Sequence, residues 1–242
     1  MKRFDYEIID STKEEAKRKI IAGETGDFLL IAKEQTAGKG RKGRNFYSPK
    51  NTGLYMSFVH VGYEALENSV SVTTATSVIV RNAIKHAFFI ECDIKWVNDL
   101  YFKGKKICGI LCECVLPDSN RKETGIIVGI GINICTKDFP KELTEKAGAL
   151  VENEDFEYIE KLISYISKEL ENYFENPSEY RYIEEYRLHS CCIEKNVEIS
   201  DATGVINKGI VKGFTDEGHL ILEDYEGKEH ILSSGEISLM VL

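Results

Sequence analysis

Apolar positions along the chain fall into short runs and long periodic stretches, and these set the expected elements. Phe28-Leu-Leu-Ile-Ala32 is a brief unbroken apolar run, the pattern of a buried strand. Pro49-Lys-Asn-Thr-Gly53 reads as a turn, and Leu54 to Val61 as the next strand. Ser69 to Phe89 is rich in Ala, Thr, Val and Ile and free of Gly and Pro. Its length exceeds that of ordinary strands, which predicts a buried helix despite the β-branched content. Residues 94 to 134 form an antiparallel meander in pattern. Ile94-Lys-Trp96 opens it, Lys103-Gly104 supplies a hairpin turn, Ile107 to Leu116 returns, Pro117-Asp-Ser-Asn120 turns again, and Gly125 to Ile134 is a nearly all-apolar third strand. Upstream, Ser11-Thr12-Lys13-Glu14 fits a capping box and predicts a helix that ends near Gly23.

Residues 154 to 189 are helical in pattern, with a break near Asn176-Pro177. After Ser190 the texture changes to short strands separated by Gly and Asp turns: Asn196–Ser200, Val205–Phe214, His219–Glu223, Glu229–Leu232 and Glu236–Val241. That density of strands predicts a small closed barrel. The expectation is an α+β protein with a mixed, mainly antiparallel sheet and packed helices over 1–189, and a small β-barrel domain over 190–242.

The 242 residues are 43% hydrophobic and 29% charged, ordinary values for a globular protein. No apolar run is long enough for a transmembrane helix, and Met-Lys-Arg-Phe-Asp-Tyr-Glu at the start is not a signal peptide, so a cytoplasmic protein without a membrane partner is expected. Seven cysteines lack disulfide or metal spacing; Cys108, Cys112 and Cys114 alternate along a strand as buried residues of one face, and Cys191-Cys192 reads as structural. The five histidines are scattered, and no protein-held metal site is expected.

Against a net charge of −9, residues 38 to 44 read Gly-Lys-Gly-Arg-Lys-Gly-Arg. Glycines let backbone N–H groups approach a ligand closely, so this loop suits a small anion such as phosphate or carboxylate. An exposed charged loop is the bland alternative. The Gly38-x-Gly40-x-x-Gly43 spacing matches a dinucleotide fingerprint only formally, because Asn-Phe-Tyr-Ser-Pro and a strand follow it where a helix is required. No Walker A ending is present either. In Lys95-Trp-Val-Asn-Asp-Leu-Tyr101, Asn98 and Asp99 disfavour a continuing strand, and a simple turn is one reading. With Lys103-Gly104 as a two-residue turn, Tyr101 faces Lys106 and Asp99 faces Cys108. Asp99 and Lys106 then become diagonal neighbours roughly 7–8 Å apart at Cβ, either a phosphate-and-metal site or an ordinary cross-strand ion pair. Gly129-Ile-Gly-Ile-Asn133 puts glycines where another chain or a ligand lies close, and Asn133 at its end could donate to a phosphate or sugar. No nucleophile is paired with a base.

These segments together resemble the biotin protein ligase family: Gln35-Thr-Ala-Gly-Lys-Gly-Arg-Lys-Gly-Arg44, Lys95-Trp-Val-Asn-Asp-Leu-Tyr101, Gly104-Lys-Lys-Ile-Cys-Gly-Ile-Leu111, Gly129-Ile-Gly-Ile-Asn133, the Asp10-Ser-Thr helix start and the closing Gly235-Glu-Ile-Ser-Leu239. The resemblance spans nearly the whole chain in the family's order. It implies a class II synthetase-like catalytic domain with a small SH3-like barrel. It also implies a two-step reaction, in which biotin and ATP, with Mg²⁺, give biotinyl-5′-AMP and pyrophosphate, and biotin then passes to a lysine of a biotin carboxyl carrier domain. The resemblance assigns Lys106, Arg41 and Asp99 to catalysis. It assigns Ser11, Thr12, Lys13, Gln35, Gly38, Lys39, Gly40, Arg41, Lys106 and Gly109 to biotin, and Arg41, Arg44, Lys95, Asn98, Asp99, Lys106 and Asn133 to the nucleotide. The cationic loop would close over the adenylate and be mobile without it.

Four positions depart from the family pattern. Lys39 stands for the usual first Arg, Lys13 for Asn, Val97 for Pro, and Met240 for the Arg sometimes found there, which puts a C-terminal contact to the nucleotide in doubt. The chain starts its catalytic region at about residue 4, so no DNA-binding domain and no nucleic-acid partner is expected; homodimerisation is left open. A lipoate or octanoate ligase of the same fold, and a non-catalytic biotin-binding module, are the alternatives.

Overall fold

The computed structural model describes residues 1–62, 69–115, 124–153, 156–176, 182–200, 204 and 206–239. Seven strands make the main sheet: β1 (Lys2–Tyr6), β2 (Phe28–Ala32), β3 (Gly53–Val61), β4 (Asp93–Lys95), β5 (Asp99–Phe102), β6 (Lys105–Val115) and β7 (Gly125–Asn133). Their order is β1-β2-β3-β7-β6-β5-β4, with β1 parallel to β2 and every other pair antiparallel.

Alternation along the strands divides the core between the two faces. On β2, Leu29 and Ile31 join the larger cluster, packed with α2 (Ser69–Phe88), α3 (Phe156–Glu175) and α4 (Tyr182–Leu188). Phe28 and Leu30 turn to the other face and pack with Ala16 and Ile20 of α1 (Thr12–Ile21), and with Val59, Val115 and Ile127. The helix α1 covers only part of that face, and the uncovered part becomes the site described below.

The second sheet has β8 (Asn196–Ser200), β9 (Ile206–Phe214), β10 (Leu220–Glu223), β11 (Glu229–Leu232) and β12 (Glu236–Leu239), in the antiparallel order β11-β10-β9-β8-β12. It packs against the elements that precede it. Trp96 donates its indole N–H to the Gly218 carbonyl at 3.0 Å, Arg187 donates to the Phe214 carbonyl at 2.7 Å, and Tyr186 meets the Phe214 ring edge-on at 5.1 Å. Val197, Phe214 and Ile237 lie in the same buried cluster as Trp96 and Tyr186, so the core runs across position 189.

The predicted elements are found with shifts of a residue or two; one strand is added and three expectations are corrected. The parallel strand β1 was not predicted, because Lys-Arg-Phe-Asp-Tyr carries no apolar run. The capping box does not form: Ser11 makes no side-chain cap, its N–H is taken by Asp10 Oδ1, and Glu14 faces Lys13 and Lys17 instead. The β5–β6 register holds for Tyr101 opposite Lys106 but slips at a bulge, so Asp99 faces Gly109 and not Cys108. Cys108 is fully buried, whereas Cys112 and Cys114 are half-buried against the same cluster. The turn at 117–120, Pro177, Val205 and Met240 lie outside the described residues. Among the described residues, no helix is long and apolar enough to cross a membrane.

Candidate active site

Beyond the N-terminus of α1 the sheet face opens into a cavity of about 630 Å³, a volume suited to a small molecule. Its floor is made where β6 and β7 pair. Gly109 lies opposite Gly131 and Leu111 opposite Gly129, and all four line the cavity. The glycines make room for side chains of this chain. A Cβ on Gly131 would come within 2.5 Å of the Phe46 ring, and one on Gly109 within 3.3 Å of both that ring and Lys106 Nζ. The close approach at these strand glycines is made by the Phe46 ring of the same chain, not by another chain.

One end of the cavity is polar and built on α1. Ser57 donates to Thr12 Oγ1 at 2.8 Å. The Thr12 N–H donates to Gln35 Oε1 at 2.9 Å, and Gln35 Nε2 donates to Ser48 Oγ at 3.0 Å. Gln35 therefore works as a brace that fixes Thr12. Lys13 reaches Glu113 on β6 at 2.7 Å. Burial pushes the Glu113 carboxyl up, and Lys13 and Lys17 outweigh it and hold the group below its ordinary range. Ser57, buried mid-strand among apolar neighbours, was legible only as a polar interruption of β3.

The other end is cationic. Lys106 on β6 meets Asp99 on β5 at 2.6 Å. The Lys106 backbone is held from outside the hairpin as well, donating to the Lys146 carbonyl and accepting from the Gly148 N–H, each at 2.9 Å. Trp96, Val97 and Asn98 form the turn between β4 and β5, so the turn reading of Asn98 was right and Asp99 opens the strand. Asn98 donates to the Ile110 carbonyl at 2.8 Å and accepts from Arg41 Nη1 at 3.2 Å.

The basic loop folds through a short 3-10 turn at Arg41–Gly43, where Lys42 and Gly43 are both left-handed, with φ of 53° and 74°. It leans on the second sheet. Arg41 donates to the Gly235 carbonyl at 3.3 Å, Lys42 to the Ser200 carbonyl at 3.4 Å, and Arg44 pairs with Glu236 at 2.5 Å. Lys95 sits over the Tyr101 ring, 5.0 Å from its centroid.

Two buried oxygens of residues lining this space, Ser11 Oγ and Asn133 Oδ1, have no hydrogen-bond partner, and Asp99 Oδ1 is met by the Lys106 ammonium. Unsatisfied buried polar atoms are costly and uncommon, and their convergence on one cavity marks a ligand site. Every residue that the sequence assigned to catalysis, biotin or the nucleotide lines it except Gly38. At Gly38 a Cβ would come within 2.5 Å of the Phe46 carbonyl oxygen, so that glycine shapes the loop. Burial raises the Cys108 thiol far up and the Cys112 thiol to about 12, which removes both as nucleophiles.

Residues 6–133 match the family profile described as biotin/lipoate A/B protein ligase, and residues 192–240 match the biotin protein ligase C terminal domain. The chain belongs to the biotin/lipoate A/B protein ligase family. It is 30% identical over 237 residues to the bifunctional ligase/repressor BirA of Bacillus subtilis, covering 95% of this chain and 71% of that one. It is 26% identical over 222 residues to a biotin–[acetyl-CoA-carboxylase] ligase of Mycobacterium tuberculosis, covering 86% and 77%. Among solved structures, a biotin protein ligase from Aquifex aeolicus in complex with biotin and ATP matches 99% of this chain and 98% of its own, with a TM-score of 0.80 at 27% identity. The matched segment from Tyr6 to Asn133 carries α1, the basic loop and the β4–β7 meander, which supply most of the cavity's lining; the rest comes from 139–147 and 235–238.

Proposed function

We propose that this chain is a biotin protein ligase that activates biotin with ATP and transfers it to a lysine of a biotin carboxyl carrier domain. The observation that carries this reading is that one cavity joins a polar end at Ser11 and Thr12 to a cationic end at Arg41 and Lys106. A cyclic urea carrying a carboxylate tail needs those two ends in that arrangement. The homologous ligases, and the complex with biotin and ATP, support it.

In the first step a biotin carboxylate oxygen attacks the α-phosphorus of ATP, the bond to the bridging oxygen breaks, and pyrophosphate leaves. Two anions must approach each other. Arg41 and Lys106 would lie between them and offset the charge that develops, an effect that fixed charges in an enclosed site deliver strongly. Asn98 would hold Arg41 in place. In the second step a lysine amine attacks the acyl carbon, forms the amide, gives up a proton and releases AMP. Asp99 is placed to orient that amine. The loop at 38–44, with its supports at Gly235 and Glu236, would shield the mixed anhydride from water.

Mg²⁺ is the usual companion of ATP, and the residues fit it: the Asp99 carboxylate and the Asn133 amide oxygen are hard ligands facing the cavity, and this ion needs few protein ligands beyond phosphate and water. It would supply charge neutralisation on the phosphates. We further propose that 190–242 forms an SH3-like barrel domain, that the partner is a protein, as the net charge of −9 supports, and that the enzyme works in the cytoplasm. ATP–pyrophosphate exchange dependent on biotin, and not on lipoate or octanoate, tests the activity. Exchange with lipoate alone favours the lipoate ligase, and none with any acid favours a binding module.

A further inference from the structure

The cavity stops at a charged wall. Lys13 lines its α1 end with a side chain only 13% exposed, and its Nζ lies 2.7 Å from Glu113 Oε2 and 3.6 Å from Glu14 Oε1. Glu113 is two residues beyond the floor residue Leu111 on the same face of β6, and opposite Ile127. Past it that face becomes apolar: Val115, Ile127 and Ile20 form the small core under α1. The Lys13–Glu113 pair therefore stands between the cavity and a hydrophobic interior into which an aliphatic tail could otherwise press.

From this we infer that Lys13 determines acyl specificity: its ion pair with Glu113 closes the far end of the cavity against unbranched acyl tails. The inference rests on the biotin reading, since it concerns which acid fills that same cavity. A straight tail, octanoyl or the dithiolane end of lipoyl, would cover the Lys13 ammonium and give it no hydrogen bond in return, and desolvating charge without compensation is costly. A compact ring bearing its own carbonyl and N–H groups can face the same wall beside Ser11 Oγ and Thr12 without that loss. Lys17 also pairs with Glu113, but neither of these two lines the cavity, so Lys13 is the member of the cluster that faces the tail.

The test is ATP–pyrophosphate exchange with biotin and with octanoate, in wild type, Lys13→Met, Lys13→Leu, Lys13→Arg and Lys17→Met, each checked for folding by thermal melting. Lys13→Met keeps the stem, removes the charge, and leaves Glu113 paired with Lys17. The ratio of octanoate to biotin exchange should rise about tenfold or more, the size of discrimination that a single wall group delivers. Lys13→Arg and Lys17→Met should keep the wild-type ratio. An unchanged ratio in folded Lys13→Met overturns the inference, and so does an equal rise in Lys17→Met, which would mean that the cluster acts through general stability. Should Lys13→Met not fold, Lys13→Leu decides: the same rise supports the wall, and no rise in the folded variant overturns it. Wild-type exchange with octanoate and none with biotin would instead overturn the ligase assignment itself, a result distinct from all of these.

Discussion

Lys106 and Asp99 carry most of the chemistry at the scale of single residues. Their ion pair is partly exposed, with side chains 32% and 22% accessible, so it adds little to stability and is free to exchange partners when an anion arrives. Lys106→Ala should lower biotin-dependent pyrophosphate exchange by about 100-fold or more while the melting curve stays in place; undiminished exchange in the folded variant would contradict the assignment. This pair was legible from a two-residue turn at Lys103-Gly104 and the alternation of a hairpin, even though the bulge after Leu100 moves Asp99 opposite Gly109. Bulges leave no mark in a pattern of alternating positions. Ser11 was legible as a helix start, but its hydroxyl points away from the capping role and stands unpartnered at the cavity.

Among the elements, the strand glycines and the basic loop decide the shape of the site. Gly131 seats the Phe46 ring so closely that Gly131→Ala should push the ring from its place and lower stability by about 1–3 kcal/mol, the usual cost of overpacking. Urea denaturation measures the stability change, and biotin binding should weaken with it. An alanine variant as stable as wild type would show that Phe46 does not need that seat. The loop at 38–44 is anchored to the second sheet by exposed contacts, of which Arg44–Glu236 has a side chain 69% accessible. Such contacts hold weakly. Hydrogen exchange over 38–44 should therefore slow when biotin and ATP are added, and equal protection in both states would argue against a closing lid. The loop's anion chemistry was plain in Gly-Lys-Gly-Arg-Lys-Gly-Arg, but its docking on Gly235 and Ser200 was not, because those contacts run to backbone carbonyls about which side-chain types say nothing.

Taken whole, the molecule has one core spanning both sheets. Trp96 and Tyr186 would lose their Phe214 and Gly218 neighbours in a chain cut after 189, and that fragment should fail to fold cooperatively by calorimetry. The second sheet was legible as a change of strand density after Ser190; the core it shares with the first was not, since apolar residues do not announce their partners. Stability should also depend on pH at both extremes. Arg18 holds the Asp10 carboxyl down to about 2, and Glu113 is likewise depressed, so these groups favour the folded state above the ordinary carboxylate range and lose that contribution as pH falls toward about 2. Burial raises Tyr55 and Tyr101 from 10.0 to about 12. The folded state keeps those phenols neutral, and stability should fall as pH rises through 10 toward 12. Melting temperatures measured from acid to alkaline pH should drop at both ends.

The most direct test of the ligase assignment is mass spectrometry of a purified biotin carboxyl carrier domain after incubation with this protein, ATP, Mg²⁺ and biotin. The account predicts a gain of one biotinyl group on a single lysine, absent without ATP. An unmodified acceptor with biotin, together with a lipoyl or octanoyl group gained when those acids are supplied to a lipoyl carrier domain, would contradict it.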